Sequence, residues 1–96
     1  MDHTLLAQAG SAAVANVTLI KSAALLGAGI AAVGVAGSGI GIGLAGAGAL
    51  EGMARQPEMA GKLLTNTIII AALMEALGLM AFATSMLLYF YASNLQ

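Results

Sequence analysis

The chain has 96 residues, of which 60% are hydrophobic and only 7% are charged, and its formal net charge is −1. So little polar surface cannot cover a soluble core, and this charge offers no basic patch for nucleic acid. Cysteine is absent, which excludes disulfides and thiolate metal sites. Because an open strand cannot cross lipid, we predict an all-α membrane protein. We also predict no metal site and no cofactor.

The predicted N-terminal leader comprises residues 1–18, which are mildly apolar and include Asp2 and His3. Secretory signal peptides begin with basic residues, which argues against a signal peptide here. The small residues from Ser11 to Ala15 nevertheless resemble a cleavage site. Both a retained and a cleaved leader are therefore compatible with the sequence.

A first membrane span follows the leader. No charged residue lies between Lys21 and Glu51, and an apolar stretch of that length exceeds the roughly 20 residues with which a helix crosses a bilayer. Its glycines recur at steps of two residues, which looks like a strand, but glycine is depleted in strands. We therefore predict a transmembrane helix over residues 19–54.

The glycines of this span fall on two sides of the predicted helix. Small residues let helices approach one another closely in lipid. Two opposed glycine faces suit a helix that packs against an identical neighbour on each side, and such contacts close into a ring. Other close-packed bundles of membrane helices use glycine as well. At about 100° per residue, one face holds Gly34, Gly37, Gly41, Gly48 and Gly52, and the nearly opposite face holds Gly39, Gly43 and Gly46.

A polar connection separates the two spans. Pro57 cannot donate a backbone hydrogen bond and disfavours the α conformation at the preceding residue, so we predict a loop over residues 55–58. Glu51 and Arg55 are spaced i, i+4 and are expected to pair on the last turn of the first helix. Arg55 and Lys62 predict a cytoplasmic loop by the positive-inside rule, with both termini on the other side of the membrane.

The second span is predicted over residues 59–93, and Glu75, near its middle, is the one acidic or basic side chain between Leu63 and Tyr91. An acidic residue near the middle of a membrane helix costs about 2.5–3.5 kcal/mol even on the most lenient scale. A medium of low dielectric constant disfavours the charged form of a carboxylate, so we expect Glu75 to carry a proton when it faces lipid. The alternative is that Glu75 is a protonated hydrogen-bond donor between helices with a purely structural role.

Together these features resemble the c-subunit, the rotor-ring proteolipid, of the rotary F-type ATP synthases. The resemblance rests on the glycine repeat, on the sequence Glu51-Gly-Met-Ala-Arg-Gln-Pro57, and on a lone carboxylate, Glu75, twenty residues beyond Arg55. The leader before Lys21 is longer than in many members of the family, which leaves the related N-type ATPases open.

The resemblance implies a two-helix transmembrane hairpin that assembles into a cylindrical homo-oligomeric ring in a bacterial inner membrane. The glycine helices would line the inside of the ring, and the helices carrying Glu75 would face lipid and the stator a-subunit. Glu75 would be reversibly protonated, so that ion flow drives rotation. Arg55, Gln56 and Pro57 would contact the gamma and epsilon subunits of the central stalk. The chain itself would not be an enzyme, and the packing glycines would be Gly37, Gly39, Gly41, Gly43, Gly46 and Gly48.

The neighbours of Glu75 indicate which ion is carried. Sodium requires several oxygen ligands, and sodium-binding members of this family place a glutamine and a hydroxyl where this chain has Ile42 and Ala76. A proton requires only the carboxylate, so we predict proton coupling. Ser38 is the nearest polar candidate, although a serine in such a helix more often donates to its own backbone. A sodium-coupled ring and a small two-helix transporter subunit are the alternative interpretations.

Overall fold

The computed structural model describes residues 2–95, which form two long helices that pack side by side as a hairpin. Helix α1 runs over His3–Arg55, and helix α2 runs over Ala60–Asn94. A single 3-10 turn, Pro57–Met59, joins them. The result is a rod measuring 84 × 15 × 11 Å, and the predicted all-α hairpin is confirmed.

Helix α1 begins at His3, well before residue 19, which corrects the predicted start of the first helix. The Oδ1 atom of Asp2 accepts a hydrogen bond of 3.2 Å from the backbone N–H of Thr4, which caps the helix. The leader is rich in alanine, the best helix former, so the helix has no reason to break before the span. At about 1.5 Å per residue, a helix of 53 residues is longer than the about 30 Å of hydrocarbon in a bilayer.

The loop forms at Gln56, where the chain leaves the α conformation before proline. Gln56 has φ −132° and ψ 77°, as expected for a residue that precedes proline. Its N–H still donates to the carbonyl of Gly52 at 2.9 Å, so the last turn of α1 stays closed. The second helix then begins at Ala60 and ends at Asn94, each within one residue of the predicted bounds 59–93.

Small residues allow the two helices to approach closely. The buried hydrophobic residues of the described chain are the alanines Ala24, Ala28 and Ala92. A Cβ atom added at Gly34 would lie only 2.7 Å from the Cβ of Ala81, so no larger residue fits there without moving a helix. The interface therefore depends on backbone proximity and dispersion contacts rather than on large interdigitating side chains.

Only part of the predicted glycine pattern contacts α2. A Cβ added at Gly34, Gly41 or Gly52 would lie within 4 Å of a side chain of α2. Part of that face is thus covered by α2 of the same chain, because helical periodicity shows where the small residues lie but not which helix covers them; the packing of identical neighbours stays a prediction. In the described hairpin, no atom of α2 lies within 4 Å of a Cβ added at the remaining predicted packing glycines, which are Gly37, Gly39, Gly43, Gly46 and Gly48.

The outside of the hairpin is apolar. Leu44 and Leu87 are 70% and 71% exposed, and both helices are long and apolar enough to cross a membrane. Apolar surface of this extent is unfavourable in water. The hairpin is therefore suited to lipid and to contacts with further helices.

Candidate ion-binding site

The carboxylate of Glu75 lies along a groove between the two helices. Glu75 stands near the middle of α2, and it is exposed in the single hairpin. The groove has a volume of about 520 Å³ and is open on one side. It is lined from α1 by Val35, Ser38, Gly39 and Ile42, and from α2 by Glu75, Gly78, Leu79 and Phe82.

The groove offers few oxygen atoms to an ion. The structure places Ile42 beside Glu75 in the groove, whereas Ala76 lies on an exposed part of α2 outside the groove lining. Ser38 brings the one hydroxyl group in that lining. Within residues 2–95, no side-chain hydrogen bond involves the Glu75 carboxylate. Ser38 and Ile42 thus line the groove together with Glu75, while Ala76, the next residue along α2, is not among the lining residues.

Ser38 bonds across the helix pair and not to its own helix, so the favoured expectation for this residue was wrong. Its hydroxyl donates to the backbone carbonyl of Met74, the residue directly before Glu75. The contact is possible because Gly78 leaves room: a Cβ there would lie 3.0 Å from the Oγ of Ser38. Gly78 was not recognised from the sequence, although it is the only glycine of α2 beyond Gly61, which was the available signal.

A second hydroxyl makes the reciprocal bond nearer the chain ends. The Oγ of Ser85 on α2 donates to the carbonyl of Ala28 on α1 at 2.8 Å. These two bonds flank the close contact between Gly34 and Ala81. Together they fix the register of the helices between the level of Glu75 and the termini. Nothing in the sequence pattern distinguished Ser85 from the other hydroxyl residues, several of which bond within their own helix.

The closed end of the hairpin carries the predicted polar residues on its surface. Arg55, Gln56 and Pro57 are all exposed, and Arg55 donates to the carboxylate of Glu51 at 2.6 Å, as predicted. Their side chains are 76% and 65% exposed, so this pair stabilises the helix end by only a few tenths of a kcal/mol. The arginine therefore remains accessible to a partner.

The sequence has clear relatives. The family of ATP synthase c-subunits matches residues 26–88. This chain belongs to the ATP synthase c-subunit family. A relative from Phocaeicola vulgatus, named as the c-subunit of an ATP synthase, is 47% identical over 75% of this chain and 93% of the relative.

Two further members of the family extend the comparison. The ATP synthase c-subunit from Bacteroides thetaiotaomicron is 42% identical over 91% of this chain and 95% of the relative. The ATP synthase c-subunit from Clostridium novyi is 38% identical over 85% of this chain and 98% of the relative.

The stretch matched by the c-subunit family contains every candidate site residue. Residues 26–88 include the glycine repeat, the loop and Glu75, and they exclude the N-terminal leader. The groove and the two interhelical hydroxyl bonds therefore lie inside the part of the chain that carries the family resemblance.

Proposed function

We infer that this chain is the ion-carrying rotor-ring subunit in the membrane sector of an ATP synthase, and we propose that its ion is the proton. Membership of the c-subunit family supports the first statement. The proposal of a proton is supported by the groove at Glu75, whose lining contains one carboxylate and is otherwise almost entirely apolar.

The mechanism depends on the two protonation states of Glu75. The neutral carboxyl is tolerated against hydrocarbon, whereas the carboxylate is stable only beside water or a cation. Within the described hairpin, α1 carries no charged residue between Lys21 and Glu51, so the chain itself supplies no cation at this depth. We propose that the stator a-subunit supplies one, and that Glu75 crosses the lipid-facing arc only after taking up a proton.

The donor set favours a proton over sodium. A sodium ion is held by several oxygen ligands at once, but Ile42 contributes only carbon atoms from its side chain to the groove. The hydroxyl of Ser38 is already directed at the carbonyl of Met74. Protonation of Glu75 needs no further ligand, so the groove as built suits a proton.

The shape of the hairpin suits a ring of identical copies. A second cavity of about 280 Å³ lies on the other side of Ser38 from the Glu75 groove. Neighbouring copies on both flanks would fill the two cavities and cover the open glycines of α1. The second cavity is lined by Gly34, Gly37, Ser38, Gly41, Met74 and Leu77.

The loop is proposed to contact the central stalk. Arg55, Gln56 and Pro57 are exposed at the closed end and would dock the gamma and epsilon subunits on the cytoplasmic side of a bacterial inner membrane. Both termini would then lie on the opposite side. Nucleotide chemistry would take place in partner subunits, and this chain would be non-catalytic.

A hydrophobic carbodiimide tests the function, because it reacts with protonated carboxyl groups in apolar surroundings. We expect modification of Glu75, faster at lower pH and unaffected by Na⁺, and no modification of the exposed loop acid Glu58, which serves as the internal control. Protection by Na⁺ would instead indicate a sodium-coupled ring. Proton-driven ATP synthesis that survives Glu75→Gln in the whole complex would refute the proposed function.

A further inference from the structure

We propose that Ser38 is a positioning residue for Glu75, which fixes where the carboxylate stands against α1. The hydroxyl of Ser38 donates to the carbonyl of Met74, the residue whose backbone leads directly into Glu75. Ser38 also lines the groove that contains the acid. A single side chain of α1 thus bonds to the backbone next to Glu75 and also lines the groove in which the acid lies.

The backbone around Glu75 has little else to hold it against α1. In a regular α-helix the carbonyl of Met74 accepts from the N–H of Gly78, and its second lone pair is free to accept from Ser38. Gly78 lacks a side chain that could pack against α1 at this point. The side chain that faces Gly41 from α2 at this level is the flexible thioether of Met74, whose sulfur would lie 3.1 Å from a Cβ added at Gly41. In the described hairpin, the bond from Ser38 is the one interhelical hydrogen bond at the level of the acid.

The consequence for Glu75 is control of its access to water. With the bond in place, α2 is held close enough that Gly78 is buried and Ile42 is half-buried beside the acid. In the assembled ring, where lipid or neighbouring copies would close the open side of the groove, loss of this bond is expected to let the segment move away from α1, so that water reaches the carboxylate from the α1 side and stabilises its charged form. No other titratable group complicates this effect: apart from Glu75, neither the α1 nor the α2 residues that line the groove include one.

Ser85 provides a matched control. It makes a bond of the same kind, a serine hydroxyl to a carbonyl of the opposite helix, but it lies about 15 Å from Glu75 along α2 at 1.5 Å per residue. Ser38→Ala and Ser85→Ala therefore each remove one interhelical bond, and only the first removes a bond at the acid. A merely structural role predicts that the two variants behave alike.

The test measures carbodiimide labelling of Glu75 against pH in the assembled ring. Relative to the parent protein, we expect Ser38→Ala to move the labelling midpoint to lower pH. Labelling at neutral pH should slow about threefold, which is the ratio that corresponds to the free energy of an average interhelical hydrogen bond in a membrane. Ser85→Ala is expected to leave the profile unchanged. An unchanged profile in Ser38→Ala, or an equal shift in Ser85→Ala, would overturn the proposal.

A second pair of variants separates positioning from packing. Gly78→Ala places a methyl group 3.0 Å from the Oγ of Ser38 and should displace the hydroxyl, so we expect the same shift of the profile. Combining it with Ser38→Gly removes the clash but does not restore the hydroxyl. Ring stability should then recover while the labelling profile stays shifted, and a profile that recovers with stability would show that Ser38 acts only through packing.

The role of Ser38 rests on the proposed function of Glu75, but the two fail differently. If Glu75 of the parent protein is not labelled at any pH, the proposed function is refuted and the role of Ser38 with it. If Glu75 is labelled normally and Ser38→Ala matches the parent, the role of Ser38 alone is refuted.

Discussion

The position of α1 with least room for a side chain, Gly34, gives the sharpest prediction about stability. Gly34→Ala would place a methyl carbon 2.7 Å from the Cβ of Ala81, whereas carbon atoms in contact prefer about 3.5–4.0 Å. Neither methyl group can rotate away, so the helices must separate by roughly 1 Å at this point. Overpacking of this kind costs about 1–3 kcal/mol. The separation would also stretch the flanking hydrogen bonds made by Ser38 and Ser85.

Gly29→Ala is the matched control for this substitution. Gly29 lies on the same helix, and an added Cβ there meets no neighbour within 4 Å in the described hairpin. Both variants gain the same helix propensity, about 1 kcal/mol from glycine to alanine. The difference between them therefore isolates the steric cost, and we expect Gly34→Ala to be less stable than Gly29→Ala by about 1–3 kcal/mol.

The assay follows separation of the helix pair in mixed micelles as the fraction of denaturing detergent rises. Because the chain has no cysteine, a dye pair can be attached through Leu26→Cys and Phe90→Cys, both at exposed positions. Gly34→Ala should separate at a lower detergent fraction than Gly29→Ala, and adding Ala81→Gly should restore the midpoint. Equal midpoints for the two glycine variants, or no rescue by Ala81→Gly, would refute the packing argument.

Three further predictions follow from the same geometry. Combining Ile42→Gln with Ala76→Ser adds oxygen atoms near Glu75, so Na⁺ should slow carbodiimide labelling in this variant and not in the parent protein; labelling indifferent to Na⁺ in both would show that these positions do not form an ion site. Ser85→Ala removes one interhelical bond and should lower the helix-separation free energy by about 0.6 kcal/mol in the dye assay, and a loss above about 2 kcal/mol would contradict an ordinary membrane hydrogen bond. Glu51→Gln breaks an exposed pair and should change that free energy by less than about 0.5 kcal/mol; a larger loss would mean that the loop end is held by this pair.

Sequence patterns predicted the features that arise from composition and from local chemistry. The two apolar stretches predict two helices because lipid leaves the backbone no other partner. Pro57 predicts the turn because it constrains Gln56 directly, and the i, i+4 spacing predicts the pair of Glu51 and Arg55. Glu75 was recognisable because no other charged residue lies near it in its span.

The features that sequence patterns missed depend on which surfaces meet. Ser38 has two possible acceptors, its own helix and the opposite one, and only the placement of Gly78 against it decides between them. The glycine face of Gly34 and Gly41 was visible, but its occupant, α2 of the same chain, was not. The start of α1 at His3 was missed because Lys21 and the uncharged stretch after it were taken to mark the beginning of the first span, whereas the alanine content of the leader and the cap at Asp2 extend the helix to His3.

The open groove explains why this hairpin needs other molecules in order to function. The buried hydrophobic residues of the described hairpin are alanines, so the helices can lie close together. Such small side chains do not cover the side chain of Glu75, which is exposed. Within the single hairpin, no apolar surroundings enclose a carboxyl group exposed in this way. Such surroundings must come from lipid or from neighbouring copies that close the groove. Under the proposed function, the chain therefore supplies the acid and its position on a well-registered helix pair, while the assembly would determine when that acid releases its proton.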